Sequence, residues 1–228
     1  MIDWTEIDTV LLDMDGTLLD LRYDNHFWME YLPAAYANKH GIASIQAKEH
    51  LSTEFEAVRG TLPWYCLEYW SDRLGMDIPT LKRELQSMIR ARPYTLEFLS
   101  WLSGSRQASF LVTNAHQETL NIKMAQVDIT HWFDSIVVSH KYNAPKESQL
   151  FWHRFQQDYP FNPETTLFID DTETVLDAAR EFGVKHLLTM LQPDSSADKR
   201  LSTRFPAIHH FDEIMPGYPK FDGKAPHR

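Results

Sequence analysis

Two aspartates one residue apart, Asp13 and Asp15, follow the apolar run Val-Leu-Leu at positions 10–12 and are themselves followed by Gly16-Thr17. Such a run is typical of a strand buried on both faces of a parallel sheet. Because strand side chains alternate with period two, both carboxylates are expected to leave the strand end on the same side. Neighbouring carboxylates repel and raise each other's pKa unless a cation lies between them. The pair is therefore a candidate for cation-assisted nucleophilic or acid–base chemistry, although capping aspartates in a turn have the same local pattern.

Further polar groups follow the later predicted strands. Thr113 and Asn114 end the second strand, Lys146 lies in the loop after the third, and Asp170-Asp171 follow the fourth. Ligands of open α/β sheets bind beyond the carboxyl ends of the strands, so these side chains are expected to meet the first aspartate pair there. Convergent carboxylates make an all-oxygen site that suits Mg²⁺, and a lysine adds a compact second cation. Taken singly, the Thr-Asn and Asp-Asp pairs also fit helix caps, and the lysine also fits a surface position.

The elements that must position these groups are of two kinds. Residues 21–92 contain no strand pattern and predict four helices, over residues 25–39, 45–59, 64–74 and 79–90. From residue 93 onward, helices alternate with strands predicted at 109–113, 135–138, 166–169 and 186–190. This alternation predicts βαβ units and a parallel sheet covered on both faces.

The predicted fold class is therefore α/β, a Rossmann-like parallel sheet core with an inserted all-helical domain. The core is assigned to residues 1–20 and 93–228 and the helical domain to residues 21–92. Residues 215–228 are rich in proline, glycine and lysine and are expected to form an extended or frayed tail.

In chain order, the string Asp13-Met14-Asp15-Gly16-Thr17, then Thr113, Lys146 and the pair Asp170-Asp171, resemble the four motifs of the haloacid dehalogenase-like (HAD) hydrolases. The resemblance covers about residues 8 to 191. It implies that Asp13 attacks phosphorus to form an aspartyl-phosphate, and that Asp15 serves as general acid and then general base. It also implies phosphate binding by Thr113, by the Asn114 backbone N–H and by Lys146.

The same resemblance implies Mg²⁺ as the cofactor. Its ligands would be Asp13, Asp171 and the backbone carbonyl of Asp15, with Asp170 as a supporting acid. Direct ligation by Asp170 in place of Asp171 stays open.

The inserted helices resemble the C1 cap of this family. Strings in core and cap, among them Asp24-Asn25-His26-Phe27-Trp28 and Trp64-Tyr65-Cys66-Leu67-Glu68-Tyr69-Trp70, resemble its bacterial GMP/IMP 5′-nucleotidase branch. That resemblance implies release of phosphate from purine nucleoside monophosphates. Within the cap, Trp64 or Tyr65 are candidates to line a slot for the base, with core packing as the alternative. The polar residues Asp24, Asn25 and His116 are candidates to contact ribose or base, with capping and surface roles as the alternative.

Two other functions remain open at this point. One is a HAD phosphatase acting on another small phosphometabolite, such as a sugar phosphate. The other is a non-catalytic HAD-fold binding module, which the presence of Asp13, Asp15, Lys146 and Asp171 disfavours. A dehalogenase would not need the paired acids after the fourth strand.

The amino-acid composition limits which binding partners and which cellular compartment are expected. A formal net charge of −10 disfavours nucleic-acid polymers and membrane surfaces as partners. The resemblance implies a small phosphate monoester, a purine nucleoside monophosphate, as the partner, and no obligate protein partner is inferred. The single cysteine, Cys66, excludes an internal disulfide, fits a reducing compartment and is interpreted as a small packed residue. The acidic N-terminus lacks the basic region of a signal peptide. A cytoplasmic location is therefore predicted.

Overall fold

The computed structural model describes residues 2–219, so most of the predicted tail, residues 220–228, lies outside the described residues. Six parallel strands form one sheet in the order β3-β2-β1-β4-β5-β6. They are β1 Thr9–Leu12, β2 Ala108–Thr113, β3 Ser135–Val138, β4 Thr166–Ile169, β5 His186–Met190 and β6 Ala207–Ile208. The α/β class predicted from the sequence is confirmed, whereas the two-residue β6 was not predicted.

Helices occupy most of the chain between β1 and β2. They are α1 Arg22–His26, α2 Leu32–His40, α3 Ser44–Val58, α4 Leu62–Tyr65, α5 Leu67–Leu74 and α6 Ile78–Glu84. A π-helical turn, Phe27–Tyr31, joins α1 to α2 without a break in helical backbone. Residues 22–40 are therefore one long helix with a local π-bulge, a feature that is often found near functional sites.

Two predicted helices of this segment are shorter than expected. The helix predicted over 64–74 is interrupted at Cys66, whose backbone is extended, and the Trp64 carbonyl accepts a hydrogen bond from the Trp70 indole instead (2.9 Å). The helix predicted over 79–90 ends at Glu84. It ends there because the chain must turn back to the core, and residues 90–92 pair with residues 18–20.

Four helices of the core cover the sheet on both faces: α7 Thr95–Ser103, α8 Gln117–Met124, α9 Gln149–Asp158 and α10 Glu173–Phe182. Alternate β1 side chains enter different apolar clusters, as period two requires. Val10 and Leu12 pack in the cluster that includes α7 and α8 residues, and Leu11 packs in the cluster of α9 and α10. The first cluster continues into the inserted helices, where it includes Phe55 and Trp70.

The chain crosses between core and inserted helices at two adjacent places. The Asp20 N–H donates to the Arg90 carbonyl and the Arg92 N–H donates to the Leu18 carbonyl, each at 2.9 Å. The Arg92 guanidinium is buried and donates to the carbonyls of the loops that follow β5 and β6. We propose, from these paired crossings, that the cap is residues 21–92 and the core is residues 1–20 and 93–228.

No helix within residues 2–219 combines the length and the apolar character that a membrane span requires.

Candidate active site

A buried lysine lies at the centre of the polar groups beyond the strand ends. The Lys146 ammonium is 2.5 Å from Asp13 Oδ1 and 2.7 Å from Asp170 Oδ2, and it also donates to the Val112 carbonyl at 3.0 Å. Only 2% of the Lys146 side chain is exposed. Lys146 is therefore not a surface lysine, and it joins the loop after β3 to the carboxyl ends of β1 and β4.

Three buried carboxylates meet at this point. One oxygen from each of Asp13, Asp170 and Asp171 lies within 4.8 Å of the others. Both oxygens of Asp170 have protein donors, because Oδ1 accepts from the Thr172 N–H at 2.8 Å and Oδ2 accepts from Lys146. Asp13 Oδ2, in contrast, is buried and has no hydrogen-bond partner among residues 2–219. Asp171 Oδ1 accepts from the Thr172 hydroxyl, and its Oδ2 lies 3.9 Å from the Arg200 guanidinium.

The electrostatics of the three acids follow from this burial. Burial raises the pKa of Asp13 to about 6, with Lys146 opposing the rise and Asp170 adding to it. Burial, together with the charges of Asp170 and Asp13, raises the pKa of Asp171 well above its ordinary value. One lysine thus does not neutralise the three carboxylates, and Asp13 Oδ2 is left without a donor. The donor set is all oxygen, as Mg²⁺ prefers, so these residues fit a divalent cation.

Asp15 points to a second group of buried charges. Its carboxylate pairs with the Lys123 ammonium, which also lies 2.5 Å from Asp24 Oδ2. Asp24 in turn accepts from Lys82 at 2.9 Å, and each of the two lysine side chains is only 1% exposed. Burial raises the pKa of Asp15 to about 6, with Lys123 opposing and the charges of Asp24 and Asp13 adding to the rise. The pKa of the Asp15 carboxyl therefore lies closer to neutral pH than that of an ordinary aspartate.

A third set of contacts places the predicted phosphate loop beneath the inserted helices. The Thr113 hydroxyl accepts from the Ala115 N–H, which leaves its own hydrogen available to an anion. Asn114 uses its side chain to fix the next loop, accepting from the Lys146 N–H and donating to Glu147 Oε2, each at 2.9 Å. Glu147 Oε1 accepts from the Tyr65 hydroxyl at 2.6 Å. The Asn114–Glu147–Tyr65 chain joins the phosphate loop to the inserted helices.

Gly16 packs directly against the Asp171 carboxylate of the acidic site. Its φ of +83° belongs to the left-handed region. A Cβ there would lie 2.6 Å from Asp171 Oδ2 and 2.7 Å from Asp171 Cγ. Glycine is therefore needed both for the turn and for the close approach of Asp171.

A model of haloacid dehalogenase-like hydrolases matches residues 10–189. The chain belongs to this family. It is 38% identical over 215 residues to the GMP/IMP nucleotidase YrfG of Escherichia coli K12, covering 94% of this chain and 97% of that protein. The predicted family membership is confirmed.

Solved structures share the HAD hydrolase fold. A HAD phosphatase from Thermococcus onnurineus has a TM-score of 0.73 at 17% identity, covering 88% of this chain and 93% of that chain. The HAD hydrolase YfnB of Bacillus subtilis, solved with bound magnesium, has a TM-score of 0.61 at 20% identity, covering 91% and 96%. At these identities the likeness extends to the fold alone.

In this HAD hydrolase, the residues suggested as nucleotide contacts have protein partners, and their contacts with ribose or base stay predictions. Asp24, whose side chain is 15% exposed, lies between Lys82 and Lys123 and pairs with both. Asn25 donates to Asp194 Oδ2 at 2.7 Å. The Trp64 ring packs edge-on against the rings of Phe55 and Trp70, which is the core-packing alternative.

Three buried cations of this HAD hydrolase, Lys82, Lys123 and Arg92, had no sequence prediction. Lysines on amphipathic helices are usually solvated, so nothing marked the first two as buried partners of acids. A weak signal exists for Lys123, because it follows Leu120 by three residues and shares its buried side of α8.

Proposed function

We propose that the protein is a Mg²⁺-dependent phosphoric monoester hydrolase that cleaves purine nucleoside 5′-monophosphates, GMP and IMP, to nucleoside and phosphate. The observation that carries this proposal is the arrangement of Asp13. Lys146 and buried acids surround its carboxylate, and its Oδ2 has no donor among residues 2–219. A hydrolase of this family needs an unblocked nucleophile beside cationic charge, and Asp13 has this environment.

The ligands that we propose for Mg²⁺ are the carboxylates of Asp13 and Asp171 and the backbone carbonyl of Asp15. Asp170 takes a supporting role because Lys146 and the Thr172 N–H already occupy both of its oxygens. Bound Mg²⁺ would neutralise the substrate phosphate and stabilise the charge that develops on the transferring phosphoryl group.

Asp13 is the proposed nucleophile. Its carboxylate oxygen attacks phosphorus, the bond to the ester oxygen breaks, and an aspartyl-phosphate forms. Lys146 holds the Asp13 carboxylate and faces the incoming anion. The Thr113 hydroxyl and the Asn114 backbone N–H are the proposed donors to the phosphoryl oxygens, because phosphoryl transfer depends largely on positioning and charge stabilisation.

Asp15 is the proposed proton carrier. It gives its proton to the leaving 5′-oxygen, and then takes a proton from the water that attacks the aspartyl-phosphate. A pKa raised to about 6 suits both steps near neutral pH. Lys123 fixes the orientation of the Asp15 carboxylate between the two steps.

The proposed choice of substrate rests on YrfG, whose name states GMP and IMP, and on its 38% identity over 94% of this chain. Tyr65 is the proposed cap contact nearest the nucleotide, because it meets Glu147 beside the phosphate loop. A small nucleotide as the sole partner and a cytoplasmic location are parts of the same proposal, and a single free thiol is in keeping with a reducing compartment.

A comparison of kcat/KM across GMP, IMP, AMP, CMP, UMP, ribose 5-phosphate and glucose 6-phosphate tests the proposal. We expect GMP and IMP to exceed every sugar phosphate by at least about tenfold, since a base-binding site adds binding energy in the transition state. We also expect a chelator to abolish phosphate release and Mg²⁺ to restore it. Faster cleavage of a sugar phosphate would contradict the nucleotidase assignment, and chelator-resistant turnover would contradict the metal site.

A further inference from the structure

Three side chains with different metal-binding atoms converge where the inserted helices meet the core. The Cys66 thiol, a Glu68 carboxylate oxygen and a His116 ring nitrogen all lie within 4.8 Å of one another. None of the three belongs to the acidic site around Asp13. We infer that these residues form a second metal site, selective for a borderline cation such as Zn²⁺, that links the cap to the core.

The local backbone explains how the donors come together. Cys66 lies at the break between α4 and α5, and Glu68 lies in the first turn of α5. His116 precedes α8 and is two residues beyond Asn114 of the proposed phosphate loop. A continuous helix over residues 64–74 would carry Cys66 and Glu68 on different sides, since positions i and i+2 do not face each other. The extended residue at the break removes this restriction.

The hydrogen bonding of His116 also points to a ligand. Its Nδ1 is buried and has no hydrogen-bond partner among residues 2–219. A buried imidazole nitrogen without a partner costs free energy, and a metal ion bound by Nδ1 would remove this cost. The His140 ring lies 5.0 Å from the His116 ring, centroid to centroid, so a second imidazole borders the site.

The donor chemistry separates this site from the acidic one. Thiolate and imidazole favour Zn²⁺, whereas Mg²⁺ prefers oxygen ligands. Tetrahedral Zn²⁺ places its ligand atoms about 3.3–3.8 Å apart, so side-chain movements of roughly 1 Å suffice to close the three donors around it. Three protein ligands leave the fourth position for water.

A consequence for turnover follows from the position of the site. Cys66 and Glu68 lie in the inserted helices and His116 lies in the core, so a bound ion would tie the two together. If substrate enters or product leaves by separation of these parts, Zn²⁺ would hold the enzyme closed and slow turnover. The site would then act as an inhibitory metal site.

Titration with Co²⁺ tests the site directly, with the full chain kept in excess Mg²⁺. Wild-type protein should bind one Co²⁺ per chain at this site and develop the near-ultraviolet charge-transfer band of a cobalt thiolate. The band should be absent in Cys66→Ser, and its midpoint should shift to at least about tenfold higher Co²⁺ in His116→Ala. It should persist in Asp171→Asn, which alters only the acidic site. Absence of the band in the wild type, or an unchanged titration in His116→Ala, would overturn the inference.

Zn²⁺ provides a second readout. Micromolar Zn²⁺ should raise the thermal midpoint of wild-type protein but not that of Cys66→Ser, and it should inhibit wild type alone. Glu68→Gln, at an exposed position, gives a variant whose folding is not in question, and its Co²⁺ affinity should also fall. An equal Zn²⁺ effect on wild type and all three cluster variants would place the ion at the acidic site and overturn the inference. These readouts do not depend on which phosphate ester the enzyme prefers.

Discussion

At the scale of single residues, the site is governed by buried charges that are only partly paired. Lys146 binds two of the acids, Asp13 and Asp170. Their negative charges raise the pKa of Lys146 against the opposing effect of its burial, so the ammonium stays charged. A divalent cation would neutralise the remaining negative charge, on Asp171 and on the second oxygen of Asp13, and would thereby let an anionic phosphate approach.

Substitution Asp13→Asn should reduce phosphate release by at least about 10³-fold, because an amide cannot replace the carboxylate nucleophile. Lys146 keeps Asp170 as a partner, so the thermal midpoint should remain within a few degrees of wild type. Asp8→Asn is the matched control, because Asp8 is an exposed aspartate immediately before β1. This substitution should leave kcat unchanged. Retained turnover in Asp13→Asn would assign the nucleophile to another residue.

Substitution Gly16→Ala should impair both folding and activity. A positive φ costs alanine about 1–2 kcal/mol. The new methyl group would also lie only 2.6 Å from Asp171 Oδ2, so the Asp171 side chain would have to move. Displacement by 1 Å can cost about 10²-fold in rate. Gly41→Ala is the control, because Gly41 has φ +64° but no neighbour within 4 Å of a Cβ. Equal kcat values in the two variants would show that Gly16 does not position Asp171.

Much of this arrangement could be predicted because its signals are local. Leu167, Phe168 and Ile169 form a short apolar run that ends in acids, and this pattern identifies both a buried strand and its functional end. Lys146 carries no such signal, and only its place in the order of motifs marked it. The pairing of Lys82 and Lys123 with Asp24 depends on helices that are far apart in sequence, so local patterns could not reveal it. The break at Cys66 was not predicted either, because the bond that compensates for the lost helical hydrogen bond comes from a side chain, the Trp70 indole, and backbone patterns do not reveal it.

At the scale of elements, a chain of alternating charges runs from the core into the inserted helices. Lys123 of α8 contacts Asp15, Asp24 of α1 contacts Lys123, and Lys82 of α6 contacts Asp24. The Lys82 ammonium also lies 4.7 Å from the centroid of the Phe27 ring in the π-helical turn. Because the two lysines are buried, removal of an acid that pairs with them should cost more than the pair itself contributes.

The pH dependence of stability should report this chain of charges. Burial raises the pKa of Asp24, but Lys123 and Lys82 outweigh it and lower the value to about 2. Since an unfolded aspartate titrates near 3.9, the ionised form contributes on the order of 2 kcal/mol above about pH 5. That stabilisation should decline as the pH falls from 5 towards 2.

Denaturant unfolding between pH 7 and pH 3 measures this effect. The double variant Asp24→Leu/Lys82→Met should lose part of the acid sensitivity. Contributions from distant carboxylates cancel when the two proteins are compared, whereas the pKa of Asp15, which the Asp24 charge raises, should fall in the variant and offset part of the loss. The exposed pair of Asp158 and Lys141, changed to Leu and Met, is the control and should alter the slope little. An unchanged pH slope in the Asp24 variant would contradict the lowered pKa.

At the scale of the whole molecule, polar contacts outside the paired crossings also connect the inserted helices to the core, and two of them border the site. One is the ion chain through Asp24. The other is the hydrogen bond between Tyr65 and Glu147. Burial, the Glu147 charge and this hydrogen bond raise the pKa of the Tyr65 hydroxyl, so the hydroxyl keeps its proton and remains the donor. Both regions border the site, so contacts that hold the two parts together also set the surroundings of the substrate.

Substitution Tyr65→Phe should weaken this connection. Loss of a hydrogen bond to a charged group costs roughly 1.5–3 kcal/mol. Because the inserted helices would then separate from the core more readily, alkylation of the adjacent Cys66 by iodoacetamide should become several times faster. Tyr31→Phe is the control, because Tyr31 also donates to a glutamate, Glu84, but the pair is exposed and lies wholly within the helices. Equal alkylation rates in Tyr65→Phe and wild type would show that this bond does not limit separation of the parts.

The paired crossings at residues 18–20 and 90–92 have a consequence for how such enzymes diversify. Because the segments at residues 18–20 and 90–92 lie side by side, another helical segment with closely spaced ends is expected to be accommodated without disturbing β1 or β2. A chimera carrying a relative's segment between these points should still hydrolyse a simple aryl phosphate while its ranking of nucleotides changes. Substrate selectivity would then depend on the inserted segment and bond cleavage on the core, so that either property could change without the other.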